Sequence, residues 1–309
     1  MTEPQMPSHH GITETPGSQE YPNPTIQTLL ERASCRSFTD DPIPPETLQL
    51  VLEAGVRAAS GGNLQPTSIV QIEGQETKDW LAEECGQSFI AQAPVLLTLC
   101  IDWWRGKRWA ELEVAPISAT RSFRHFWISF QDTVICAQSI CTAADALGLG
   151  SCYIGTVIDL VPALCERLEL PEGVFPVVLL CLGVPRHPPK VRRKLDQAVV
   201  VHKERYHKLD DEALLAAYED KYPGYRVEIA PQHLDQIDEV CRQVHGPAFA
   251  ERCLERIQEN GYIRAVQRYF GLHYRANLMP QGNDEYLDLM AARGFKWFQP
   301  WTPLEEDQS

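Results

Sequence analysis

The chain has 309 residues, 44% of them hydrophobic and 23% charged. That balance excludes a disordered polymer, a collagen-like fibre and a mucin-like stalk, and allows one large domain with additions. Forty-two acidic against 28 basic residues give a net charge of −14, which sets nucleic acid and anionic membrane surfaces aside as partners.

None of the ten cysteines has CxxC or zinc-finger spacing. They read as reduced core thiols of a cytoplasmic protein, and no metal site is expected. No basic segment followed by an apolar one opens the chain, so no signal peptide is expected. The longest apolar run, Val174 to Val184, is too short to span a bilayer.

Residues 1–23 are polar and aperiodic and read as a disordered tail, with His9-His10 as a polar pair inside it. Order is expected from Asn23-Pro24, a cap and first-turn pair, with Ile26, Leu29, Leu30 and Ala33 at helical spacing. This helix is expected to run into Arg32-Ala33-Ser34-Cys35-Arg36-Ser37-Phe38. A second helix opens at Pro44-Pro45-Glu46 and stops at Ser60-Gly61-Gly62-Asn63. Thr67 to Ile72 reads as a strand, Glu76 to Glu84 as a helix and Val95 to Ile101 as a buried strand.

Ser118 to Leu147 carries the longest helical pattern, apolar on more than one side, and predicts a central, mostly buried helix ended by Gly148. A short strand at Cys152 to Ile154, a helix at Val161 to Leu168 and a buried strand at Val174 to Gly183 follow. Residues 186–194 form a basic loop, and Ala198 to Val201 reads as extended. Helices are expected over Asp210 to Tyr222, Leu234 to Val244, Phe249 to Ile257 and Asp284 to Ala292. The element order suggests a layered α+β domain more than a doubly wound sheet. The expected division is a tail at 1–23, a core domain at 24–222 and a helical extension at 223–309.

Several motifs are missing. Gly148-Leu149-Gly150 is followed by Ser151-Cys152-Tyr153, so no dinucleotide fingerprint forms, and there is no Walker A, HExxH or GxSxG. Three clusters can hold an anion and a flat polar ring. Arg32, Ser34 and Arg36 offer two guanidinium groups and a hydroxyl suited to a phosphate monoester, although such residues at a helix end also serve solvation and capping. Ser60-Gly61-Gly62-Asn63-Leu64-Gln65-Pro66 allows close backbone approach and supplies polar groups, and is equally ordinary turn composition. The third cluster, Arg186 to Lys194, holds five basic residues and no acidic one. This local charge reversal fits a small anion, or else a solvated loop.

The order of these pieces resembles the nitroreductase family of FMN-dependent oxidoreductases, and most the branch of oxygen-insensitive NADPH nitroreductases and flavin reductases. Arg32 to Phe38 is similar to that family's RRSxRxF, with Ala33 in place of the second Arg. Ser60 to Pro66 is similar to its SxxNxQP loop, and Gly148 to Gly155 to its GLGxxYIG. Leu170-Pro171-Glu172 with Leu182-Gly183-Val184-Pro185 is similar to LPE…LGxP, and Arg192-Arg193-Lys194-Leu195 before Val201-His202 to KPRLP…VH, without its prolines.

The resemblance implies a nitroreductase-like α+β fold. Its central sheet would be mixed or mainly antiparallel and flanked by helices, in a homodimer whose C-terminal extension wraps the partner. It implies FMN as cofactor and NADPH or NADH as co-substrate. The site residues it implies are Arg32, Ser34 and Arg36 on the ribityl phosphate, with Arg192 and Lys194 closing from the far loop. Ser60, Gly62 and Gln65 would approach from the partner subunit, Gln87 would bond the ring or ribityl chain, and Tyr153, Ile154 and Gly155 would lie along the isoalloxazine. The reaction implied is hydride transfer from the nicotinamide, through the flavin, to a small-molecule electron acceptor, with no protein acid or base. A single specific acceptor, shaped by 223–283, and a non-catalytic flavin-binding module are the alternatives. Arg264, Arg268 and Arg275 are candidates for a nucleotide 2′-phosphate or plain surface charges.

Overall fold

The computed structural model describes residues 21–303; most of the expected tail, including His9-His10, lies outside them. The described residues divide into two bodies, one of 21–191 with 285–303 and one of 192–284.

In the first body, α1 (Pro24–Glu31) is capped by Asn23, whose side chain accepts from the Ile26 amide at 3.1 Å. The helix ends there instead of running through the arginine cluster. Residues 32–38 are extended: the Cys35 amide donates to the Ser151 carbonyl at 2.9 Å, and Phe38 bridges Pro185. Then come α2 (Pro45–Val56), β1 (Thr67–Ile72), α3 (Gln75–Glu84), α4 (Phe89–Gln92) and β2 (Val95–Asp102). The remaining elements of this body are α5 (Trp104–Leu112), α6 (Phe123–Ala146), β3 (Gly150–Ile154), α7 (Val161–Arg167) and β4 (Val174–Gly183).

The four strands form one antiparallel sheet in the order β1-β2-β4-β3. Mainly antiparallel pairing is thus observed; among the described strands the mixed alternative is absent, and the one parallel contact is the single bridge between Ser34 and Ser151. Alternation along the strands sends side chains to two cores. Leu96, Leu179, Cys181, Cys152 and Ile154 pack with Leu81, Ile90 and Leu164, from α3, α4 and α7. Leu97, Leu99, Leu180 and Leu182 pack with Val51 of α2 and Ala137, Ile140 and Ala144 of α6. Helices therefore cover both faces.

Helix α6 departs from the expected burial. Its buried stripe includes Asp132, Cys136, Ile140 and Ala144, but Phe123, Trp127, Phe130 and Ile135 are exposed, Trp127 by 51%. Among the described residues, no helix is long and apolar enough to cross a membrane.

The second body begins with α8 (Gln197–Val200), where an extended piece was expected. The Asp196 carboxylate accepts from the Ala198 amide at 2.8 Å and caps a single turn that the branched valines alone do not suggest. Its longer helices are α9 (Asp211–Lys221), α10 (Pro231–His245) and α11 (Pro247–Asn260), followed by α12 (Ala265–Arg268) and a π-helical turn at Tyr269–His273. Ile237, Ile257 and Ile263 form their small core. The chain returns to the first body in α13 (Asn283–Ala292), whose Met290, with the following Phe295, is buried in that body's core beside Trp103 and Phe175. The short α5 and α12 are elements the sequence pattern does not reveal.

Candidate functional site

The first cluster is built by strand-like alternation, not by a helix terminus. Ala33 and Cys35 are buried, while Ser34 and Arg36 are exposed and Arg32 is half-buried. Period-two geometry puts Arg32, Ser34 and Arg36 on one side of the extended segment. The segment lies against β3, where Gly150 permits the approach: a Cβ on Gly150 would stand 2.5 Å from the Cys35 Cβ.

Arg32 reaches back into this edge. Its Nη2 donates to the Ser151 Oγ at 3.4 Å, its guanidinium lies 5.8 Å from the centre of the Tyr153 ring, and its Nε is 3.6 Å from Asp145 Oδ2. Both that Nε and that oxygen are buried without a hydrogen-bond partner. Burial pushes the Asp145 carboxyl up to about 6 against the pull of Arg32, and it also raises the Tyr153 hydroxyl. Ile154 is buried and Gly155 exposed just beyond. Gln87 sits half-buried in the turn between α3 and α4, its amide donating to the Ala82 carbonyl at 2.9 Å. Those helices share the core that holds Cys35 and Ile154.

The second cluster lies elsewhere. Ser60, Gly62 and Gln65 belong to the loop that enters β1, at the opposite edge of the sheet from β3. Three strand spacings of about 4.8 Å put those edges roughly 14 Å apart. Gly62, Asn63 and Gln65 have φ of 61°, 55° and 49°. The Gly61 amide donates to both carboxylate oxygens of the buried Asp132, at 3.0 and 3.1 Å, and desolvation raises that carboxyl. The loop borders a cavity of about 490 Å³ lined also by Thr67, Ser68, Arg105 and Trp109. A second recess of about 750 Å³, bordered by Trp103, Lys107, Arg121 and Trp301, contains none of the expected residues.

Arg192 and Lys194 are exposed at the start of the second body. Arg193 between them bonds the Asp220 carbonyl and carboxylate. Arg186, the first cation of the basic loop, is held by the Ser37 and Phe38 carbonyls in the first body. Arg264 pairs with Glu219 and lies over Tyr218, and Arg275 pairs with Glu239 at 3.5 Å. Asp145, Ser151, Asp132 and Arg105 escaped the sequence reading. The one signal for Asp132 and Asp145 is a carboxylate on a largely apolar helix.

Comparison with known proteins decides the family. Residues 29–184 match the nitroreductase family. The chain belongs to that family. It is 32% identical over 204 residues to an oxygen-insensitive NADPH nitroreductase of Salmonella typhimurium, covering 66% of this chain and 82% of the relative. It is 33% identical over 206 residues to an FMN reductase [NAD(P)H] of Bacillus subtilis, covering 66% and 83%. Among solved structures, the NADPH:FMN oxidoreductase of Vibrio harveyi complexed with NAD+ superposes with a TM-score of 0.65 at 27% identity, covering 87% of this nitroreductase-family chain and 98% of that one. The expected nitroreductase-like fold is therefore the observed one.

Proposed function

We propose that this nitroreductase-family chain is an FMN-dependent NAD(P)H oxidoreductase that reduces a small-molecule electron acceptor. The observation that carries the reading is the row of Arg32, Ser34 and Arg36 on one side of the extended segment, with Ser34 and Arg36 exposed and Arg32 half-buried. A phosphate monoester fits such a row: two cations and a hydroxyl at strand spacing match its charge and its several acceptor oxygens. Tyr153 and Gly155 offer an edge for a ring system, with Ile154 contributing only backbone there because its side chain is buried in the core, and Gln87 offers a polar contact.

When bound, FMN supplies hydride acceptance and donation at its ring system. The chain's own residues bind and orient. Arg32 and Arg36 would neutralise the phosphate, the Ser34 hydroxyl would donate a hydrogen bond to it, and the half-buried Tyr153 ring would limit water at the edge of the site. The reading assigns no side chain to proton transfer.

Ser60, Gly62 and Gln65 stand at the far sheet edge from Arg32, which supports a homodimer in which each loop serves the partner's flavin. The exposed Phe123, Trp127 and Phe130 face of α6 supports the same arrangement, since a monomer gains nothing by wetting it. The ten free cysteines fit a reducing, cytoplasmic setting.

An anaerobic visible spectrum of the purified protein, before and after NADPH, tests the reading. A flavin spectrum that bleaches is expected. A colourless protein that FMN cannot reconstitute would leave the fold without this function.

A further inference from the structure

We propose that Arg105 is a positioning residue that holds Gln65 in place to meet the flavin; this rests on the reading that the Ser60–Gln65 loop faces FMN. The motivation is strain and its restraint. Asn63 and Gln65 are two of five non-glycine residues with positive φ among the described residues, and both lie in this loop. A left-handed backbone is unfavourable for a side-chain-bearing residue and persists where the surroundings over-determine it.

Arg105 supplies much of that restraint. Its Nη2 donates to the Gln65 carbonyl at 2.8 Å and to the Thr67 carbonyl at 3.0 Å, and its Nη1 to the Ser68 Oγ at 3.2 Å. Arg105 is itself fixed from the end of β2. Its amide donates to Asp102 Oδ1 at 3.0 Å, its Nη1 pairs with Asp102 Oδ2 at 3.3 Å, and the Ser68 hydroxyl donates to that same oxygen. The Asp102 amide in turn donates to the Pro66 carbonyl at 2.9 Å.

The other end of the loop is pinned by Asp132 through the Gly61 amide. Between these two anchors, the Gln65 amide donates to Ser60 Oγ, and the Gln65 Nε2 to the Val56 carbonyl at 3.0 Å. The guanidinium reaches two carbonyls from one nitrogen and a hydroxyl from another; a lysine ammonium has the charge and three donors but at one point, without the fork. Arg105 therefore fixes the Gln65 backbone, while the Val56 carbonyl holds the side-chain Nε2.

The test is a double-mutant cycle on the full chain: Arg105→Met, Gln65→Ala and both, with Arg105→Lys as the conservative variant. FMN affinity is read by quenching of flavin fluorescence, and fold by the thermal midpoint. Arg105→Met should weaken FMN binding about tenfold when Gln65 is present and less than about twofold in the Gln65→Ala chain, since residues acting through one another are non-additive. Arg105→Lys should fall between wild type and Arg105→Met. Equal losses in both backgrounds, or no loss, would overturn the proposal by making Arg105 a support for β1 alone. If Arg105→Met shows no cooperative melting, the same cycle with Arg105→Lys decides. A wild-type chain that binds no FMN refutes the underlying function, an outcome separate from additive losses in a chain that does bind.

Discussion

Arg32 Nε and Asp145 Oδ2 face each other at 3.6 Å across the outer edge of β3, beyond hydrogen-bond range, each buried and without another partner. The anion cradle thus has an internal carboxylate behind it. That carboxylate pairs with Arg32 through its buried Nε and so balances the charge of the guanidinium from inside.

Asp145 makes stability depend on pH in a direction opposite to most carboxylates. Burial lifts its folded value to about 6, above the ordinary Asp value. The folded chain then binds the proton more tightly than the unfolded chain. Its contribution is fully present below about pH 4 and is lost as pH rises through about 6. Asp145→Asn should remove that loss: subtracting its thermal-midpoint profile from wild type should leave a decline across pH 4 to 6. Parallel profiles would show that Asp145 ionises normally.

Arg32→Ala and Arg36→Ala should each weaken FMN binding by about 10- to 100-fold, as expected for loss of a charge-assisted bond worth about 1.5–3 kcal/mol. Titration of FMN fluorescence reads this directly. An Arg36→Ala chain within about twofold of wild type would mean that the row of Arg32, Ser34 and Arg36 is not the phosphate site.

Gly150→Ala should destabilise the chain by about 1–3 kcal/mol through overpacking. The added Cβ would stand 2.5 Å from the Cys35 Cβ, 2.8 Å from its Sγ and 3.0 Å from a Pro185 carbon, with little room to relax. Because the same contact seats residues 32–36, FMN affinity should fall as well. Urea unfolding that matches wild type would show that the segment can lift from β3.

The exposed face of α6 should be an interface between copies. Light scattering coupled to gel filtration should give a dimer mass for wild type and a monomer mass for the double variant Trp127→Glu with Phe130→Glu. Retention of the dimer by that variant would place the interface elsewhere.

The strands were legible because branched and aliphatic runs bounded by breakers leave little choice: Thr67–Ile72 and Val174–Gly183 occur where the pattern puts them. The motif residues were legible by type but not by setting. Ile26, Leu29, Leu30 and Ala33 continue a helical period into the arginines, yet Cys35 pairs with Ser151, 116 positions away in the chain, and a tertiary bond outweighs local periodicity. The same distance in sequence hid Ser151 behind Arg32. Arg105 was unreadable for another reason: α5, which carries it, mixes Trp, Arg and Lys without a clear apolar face and buries no residue fully.

The placement of the two clusters at opposite edges of one sheet gives the chain an unusual genetics. If each pocket takes its arginines from one copy and its glutamine loop from the other, neither copy owns a whole site. A chain damaged at Arg32 and a chain damaged at Gln65 would then fail separately. Paired together, they would assemble one intact pocket beside one doubly damaged pocket, so two broken alleles could rescue each other.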